Sequence, residues 1–170
     1  MAAGDDRRPI RRTRVLEALE GSGVSFRLLT HSEPVYTVAA AARQRGVALE
    51  DMVKSILLRD RDGRYVLGCV TGDAQLEPQA VRAALAGSCK RLYFASSDEV
   101  KAVTGCVQGA VAPIGLPADV PVVCDSSIAR CRRVTISSGD PMAGIELDPI
   151  DLIRLSGAQL AAIARKATRD

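Results

Sequence analysis

Residues 51–70 read DMVKSILLRDRDGRYVLGCV, and this stretch decides the fold. Two runs rich in β-branched and aliphatic residues, Val53–Leu58 and Tyr65–Val70, flank a charged turn. The Asp62-Gly63 step inside that turn is a strong short-range hairpin signal. The stretch therefore predicts two antiparallel strands, and a hairpin at the heart of the chain argues against a purely parallel sheet. Lys54 stands inside the first strand. An ammonium there must reach water or find an anion, because burying it unpaired is costly.

Working outward, strands and helices interleave. A helix is predicted over Arg11 to Glu20, ending at GSG, followed by a strand in which Val24, Phe26 and Leu28 alternate with polar residues. Thr37 reads as the N-cap of an alanine-rich helix that stops at Gly46. Beyond the hairpin, TGDAQLEP leads into a helix from Pro78 to about Leu85, with proline in the first turn. A strand follows at Arg91–Ala95, and Ser96-Ser97-Asp98-Glu99 has capping-box form, opening a helix that Gly105 closes. Strands are expected at Val120–Cys124, Val134–Ser137 and Ile145–Leu147. Asp148-Pro149 then starts a closing helical region through DLIRL and GAQLAAIARKA. The expected class is mixed α/β (α+β), with one mixed, largely antiparallel sheet flanked by helices.

At 170 residues, 47% hydrophobic and 25% charged, the composition is that of an ordinary soluble domain. No apolar run approaches a membrane span, so no membrane role is expected. The N-terminal MAAGDDRRPIRRTR has charges with no apolar segment behind them, which does not resemble a secretory signal and suggests a cytoplasmic location. Residues 1–10 are read as a basic arm and 11–170 as a single domain. The net charge is only +3, with arginine clusters at Arg7–Arg14 and Arg130–Arg133 that either meet phosphates or form solvated surface. Five cysteines without a C-x-x-C pair argue against a disulfide framework or a zinc site and read as small core residues.

The usual catalytic signatures are missing. There is one histidine, His31, and no G-x-S-x-G elbow, P-loop, G-x-G-x-x-G turn or H-E-x-x-H pair. What remains is GCVQGAVAPIGLP at 105–117, in which glycines let main-chain N–H groups approach a ligand and prolines fix the loop. ISSGD at 136–140 places two hydroxyls and a glycine at a strand end. By composition alone the first reads more readily as a connecting loop, the second as a turn, and Lys54 as a side chain that snorkels to water.

Five segments in register change that balance. HSEPVYTVAAAARQRGV (31–47), MVKSILL (52–58), TGCVQGAVAPIG (104–115), ISSG (136–139) and IELDPIDLI (145–153) resemble the YbaK and prolyl-tRNA synthetase-associated editing domain family. The resemblance runs from about Arg14 to Ile163. It implies a curved sheet wrapped by helices and a trans-editing deacylase that hydrolyses the ester joining a wrong, small amino acid to tRNA, often the proline acceptor. Such editing is needed because one methylene of contact supplies only about 1–3 kcal/mol of discrimination.

The resemblance places the family's strand lysine on Lys54 and the following polar residue on Ser55. Its Gly-Gly-x-x-Pro-x-Gly loop falls on Gly109, Ala110, Pro113 and Gly115, its serine-glycine turn on Ser137, Ser138 and Gly139, and a pocket aromatic on Tyr36. Lys54, with main chain near Gly109 and Ala110, is the expected catalytic group; the others are expected to bind substrate. Ala110 departs from glycine, and its methyl would narrow the pocket or tilt the loop. Pro141 and Met142 replace a basic-glycine pair. No metal or cofactor is implied. The implied partners are the acceptor end of a mischarged tRNA and prolyl-tRNA synthetase. The competing readings are a non-catalytic module holding a tRNA end, a nucleotide or a synthetase, and a small-molecule hydrolase unrelated to RNA.

Overall fold

The computed structural model describes residues 10–166. The arm expected over residues 1–10 therefore lies, apart from Ile10, outside the described residues. Helix α1 (Arg14–Ser22) starts later than predicted because the Thr13 hydroxyl, accepting the Leu16 N–H, caps it, and Gly23 in the left-handed region ends it. Strand β1 (Phe26–Thr30) follows, then α2 (Val38–Arg45), capped by Thr37 and closed by Gly46 as expected. A 3-10 turn at Leu49–Asp51 leads into β2 (Val53–Arg59) and β3 (Tyr65–Thr71). These form the predicted hairpin, in register from Val53 opposite Thr71 to Arg59 opposite Tyr65.

Next come β4 (Ala74–Leu76), α3 (Pro78–Ala84), β5 (Tyr93–Phe94) and α4 (Ser97–Thr104). Helix α4 carries the full capping box between Ser96 and Glu99. Strand β6 (Val122–Asp125), a 3-10 turn at Ser126–Arg130, β7 (Val134–Ser137), β8 (Ala143–Leu147) and α5 (Pro149–Ser156) lead to β9 (Gln159–Ala161) and β10 (Ala164–Lys166).

The architecture is mixed α/β with mostly antiparallel strand pairing, but three sheets replace the single one expected. A five-stranded sheet runs β5-β2-β3-β6-β9, in which β6 and β9 join in parallel. A three-stranded antiparallel sheet runs β1-β8-β7, and β4 pairs with β10. The division follows from the core. Leu57, Leu67, Ile136, Ile145 and Leu152 fill the main cluster, into which α1 sends Leu19, while Leu58, Val66, Leu76, Val81 and Ile163 form a second one. Strand β3 is buried from Val66 to Thr71, so its apolar run is continuous rather than alternating.

The closing helical region is a correction. Gly157 caps α5, and within residues 158–166 the segment continues as β9 and β10 instead of a helix. The alanine-rich composition favours helix, but tertiary contacts override it. Asp125 accepts the N–H groups of Ile163 and Ala164, both at 2.9 Å, and Ile163 is fully buried in the second core. Strand β4, within the segment read only as a lead-in to α3, is recruited as the partner of β10.

Candidate active site

Strand β2 pairs with β3 along its whole length, but its other edge is only partly covered. Beyond that edge, β5 reaches only Leu58 and Arg59, and at the opposite end Met52 forms a lone parallel bridge to Thr135. Between these two attachments lies a cavity of about 480 Å³. Five of the residues singled out from the sequence line it: Tyr36, Lys54, Ser55, Gly109 and Ser137.

Lys54 is half-buried, and burial pushes its ammonium below the ordinary lysine value while Asp73 pulls it back up. It forms no ion pair among the described residues. A second cation, Arg45 at the end of α2, also lines the cavity. Its Nε donates to Nε2 of His31 at 3.2 Å and its Nη1 to Oγ1 of Thr135 at 3.1 Å. With no carboxylate beside it, burial brings its pKa down to about 10. Gly144 leaves room for this guanidinium, which a Cβ there would strike.

Gly109 sits at φ +91°, in the left-handed region, and a Cβ on it would collide with the carbonyl oxygen of Tyr36. Only glycine therefore lets the 105–117 loop close against the segment before α2. At the rim stand Tyr36, 57% exposed, and Phe94, 62% exposed. No histidine, cysteine or carboxylate is among the lining residues.

The Aminoacyl-tRNA editing domain model matches residues 32–155, most of the chain and all of this cavity. The chain belongs to that family. An editing domain is a hydrolase of the aminoacyl-tRNA ester. The chain is 27% identical over 158 residues to the Multifunctional Ser/Thr-tRNA deacylase ProXp-y of Escherichia coli K12, covering 91% of this chain and 93% of that one. It is 32% identical over 98 residues to the proline–tRNA ligase of Bacillus licheniformis, covering 58% of this chain and only 17% of the ligase. A crystal structure of a protein proposed as a trans-editing enzyme for prolyl tRNA synthetase superposes with TM-score 0.77 at 28% identity. That match covers 91% of this chain and 96% of the other.

In this editing domain the remaining singled-out residues lie outside the cavity. Ala110 is 1% exposed, so its methyl is buried and does not narrow the cavity as expected. Pro113 is buried too. Gly115 and Gly139, both at positive φ, receive the backbone of Arg14 and the side chain of Thr13, at 3.1 and 3.2 Å from where a Cβ would stand. Ser138 is fully buried, donating its hydroxyl to the Ala143 carbonyl and accepting Thr13's hydroxyl on its own carbonyl. These three positions seat the start of α1. Pro141 and Met142 give their carbonyls to Nδ1 and the main-chain N–H of His31.

Sequence reasoning passed over Arg45, Phe94 and Gln108, which all line the cavity. A signal was present in the pairing of Arg45 with a lone histidine fourteen residues earlier, but only the fold brings the two together. Cys69, Cys89 and Cys124 are buried and Cys106 and Cys131 partly so, as core residues. Among the described residues, no helix is long and apolar enough to cross a membrane.

Proposed function

We propose that this editing domain removes a small amino acid mischarged onto tRNA, with proline tRNA as the acceptor, acting in the cytoplasm in trans alongside prolyl-tRNA synthetase. The observation that carries this reading is the sharing of one cavity by Lys54 and Gly109, without a side-chain base among its lining residues. The relatives' names support the substrate class: one is a Ser/Thr-tRNA deacylase and others are proline–tRNA ligases.

With no side-chain base to activate a protein nucleophile, water is the nucleophile. Its oxygen adds to the ester carbonyl carbon, and the carbonyl π pair moves to oxygen. The Lys54 ammonium and the main-chain N–H groups near Gly109 stabilise the resulting oxyanion. Collapse of this intermediate breaks the bond to the ribose oxygen, which leaves with a proton. The proton lost by water passes to a base on the substrate itself, its free ribose hydroxyl or its amino group, as the family resemblance implies. Such stabilisation by a fixed cation and preset main chain needs no metal.

Alanyl-, cysteinyl-, seryl- and threonyl-tRNA sets, on proline and cognate acceptors, test the reading. Hydrolysis of at least one above the spontaneous rate is expected. Background rates for every substrate would refute it, and salt-sensitive tRNA binding without turnover would replace it with a binding module.

A further inference from the structure

The cavity borders on unpaired backbone. In β3 the N–H of Leu67 donates outward, to the Pro121 carbonyl beside β6 at 2.9 Å, so the odd-numbered residues of β3 face β6 and the even-numbered ones face β2. Lys54, Ile56 and Leu58, opposite Val70, Gly68 and Val66, therefore make the hydrogen-bonded pairs of the hairpin. The odd-numbered residues of β2 turn their main chain the other way. The Leu57 carbonyl shows this by accepting the Ala95 N–H at 3.0 Å on the outer side.

Along that outer edge, Ser55 is the residue left over. β5 serves the level of Leu58 and Arg59, and the Met52–Thr135 bridge serves the other end. No bridge joins Lys54 to Ser137, the step that would continue the parallel ladder. The two strands diverge instead, and the cavity occupies the wedge between them, with Ser55 on one side and Ser137 on the other. Among the described residues, no strand is paired with Ser55 across this edge, and no side chain hydrogen-bonds its N–H or C=O. Buried main-chain groups are paired almost without exception, and open strand edges are normally capped or covered.

We propose that Ser55's main chain grips the aminoacyl group, its C=O accepting from the substrate's α-amino group and its N–H donating to the acyl carbonyl. The inference rests on the deacylase reading and says where the amino acid sits. An aminoacyl ester carries one donor and one acceptor across a single Cα, the same arrangement as one residue of a strand. It therefore completes the edge of β2 as a hydrogen-bonded antiparallel pair with Ser55. The grip reads a free α-amino group without reading the side chain, which suits an enzyme that clears more than one small amino acid.

Two changes test the grip, both measured on the substrate the wild-type protein cleaves best. Replacing Ser55 by its α-hydroxy acid analogue turns one N–H into an oxygen and keeps the side chain. Loss of a hydrogen bond in the bound state predicts a fall in kcat/KM of roughly 10- to 100-fold. The melting temperature falls only slightly, through the weaker Lys54 ester carbonyl that faces Val70, because no strand is paired with the Ser55 N–H across the outer edge. The deaminated form of the same substrate, with hydrogen in place of the α-amino group, lacks the donor and is expected to show a similarly lower kcat/KM once its slower spontaneous hydrolysis is divided out. A backbone-ester protein as active as wild type, one that melts markedly lower, or deaminated substrate cleaved as fast relative to its spontaneous hydrolysis each overturns the inference alone. Wild-type protein inactive on every aminoacyl-tRNA overturns the deacylase reading and the inference with it.

Discussion

Arg45 donates its Nε–H to Nε2 of His31 across 3.2 Å, while Nδ1 of the same ring lies 2.8 Å from the carbonyl oxygen of Pro141. The ring must therefore carry its one proton on Nδ1 and leave Nε2 as an acceptor. A second proton would set two cations against each other beside the cavity wall. Burial lowers the His31 pKa first; the Pro141 hydrogen bond and Asp140 oppose this, and Arg45 adds to it. The unfolded chain takes up its proton near the ordinary value of 6.5, whereas the folded chain resists until lower pH. Stability is thus complete above pH 6.5 and falls as pH drops from there to the folded pKa. Thermal melts should show this decline, and His31→Gln should flatten it.

Asp125 fixes the corner that replaced the expected helix. One carboxylate oxygen takes the N–H and hydroxyl of Ser127, at 3.0 and 2.6 Å, and the other takes the N–H groups of Ile163 and Ala164. Asp125→Ala leaves those donors without a partner and is expected to cost about 2–3 kcal/mol. Burial raises the Asp125 pKa, but these four hydrogen bonds together outweigh it and hold the pKa below 3.8. Its contribution is therefore present above that pH and is lost as pH falls through the folded value. Urea titrations of the variant, with hydrogen exchange at Ile163 and Ala164, check the loss and its location.

What the sequence could disclose was what neighbours along the chain decide. The Asp62-Gly63 turn, the caps at Thr37, Ser96 and Asp148, and the stops at Gly46 and Gly105 each depend on a few adjacent residues, and all are found. Strands β9 and β10 depend on Asp125 and on β4, far away along the chain, so their alanine-rich segment misleads. The site divides the same way. Lys54 and Gly109 were legible through the family resemblance, whereas the role of Arg45 depends on Thr135 and Gly144 approaching it from the second sheet. Gly115 and Gly139 look like ligand-facing glycines, yet the chain that approaches them is its own residues 13 and 14.

Gly109→Ala tests the loop. The substitution must tolerate φ +91° and a Cβ pressed against the Tyr36 carbonyl. Left-handed strain of this kind costs about 1–3 kcal/mol, and relieving it moves either the loop or the segment before α2. Deacylation should fall at least about 30-fold, as expected when a stabilising main-chain donor is displaced. A comparison of kcat/KM with the denaturation midpoint checks both effects. Gly105→Ala is a control for backbone strain: Gly105 is also at positive φ, but a Cβ there would meet nothing within 4 Å.

Lys54→Met separates charge from packing, because methionine keeps much of the aliphatic stem. In the folded protein burial is the larger influence on Lys54 and lowers its pKa despite Asp73, so the fold disfavours the charged form relative to the unfolded chain. A base with a depressed pKa loses stability as pH falls below its unfolded value, here 10.5, and at neutral pH that loss is already in place. Removing the ammonium should therefore leave the melting temperature equal to wild type or higher. The same change removes the cation assigned to the developing oxyanion, and deacylation should drop at least about 100-fold. A variant that melts higher and no longer deacylates shows a charge kept at a cost to stability. A variant that melts higher and deacylates normally shows that Lys54 has no part in the chemistry.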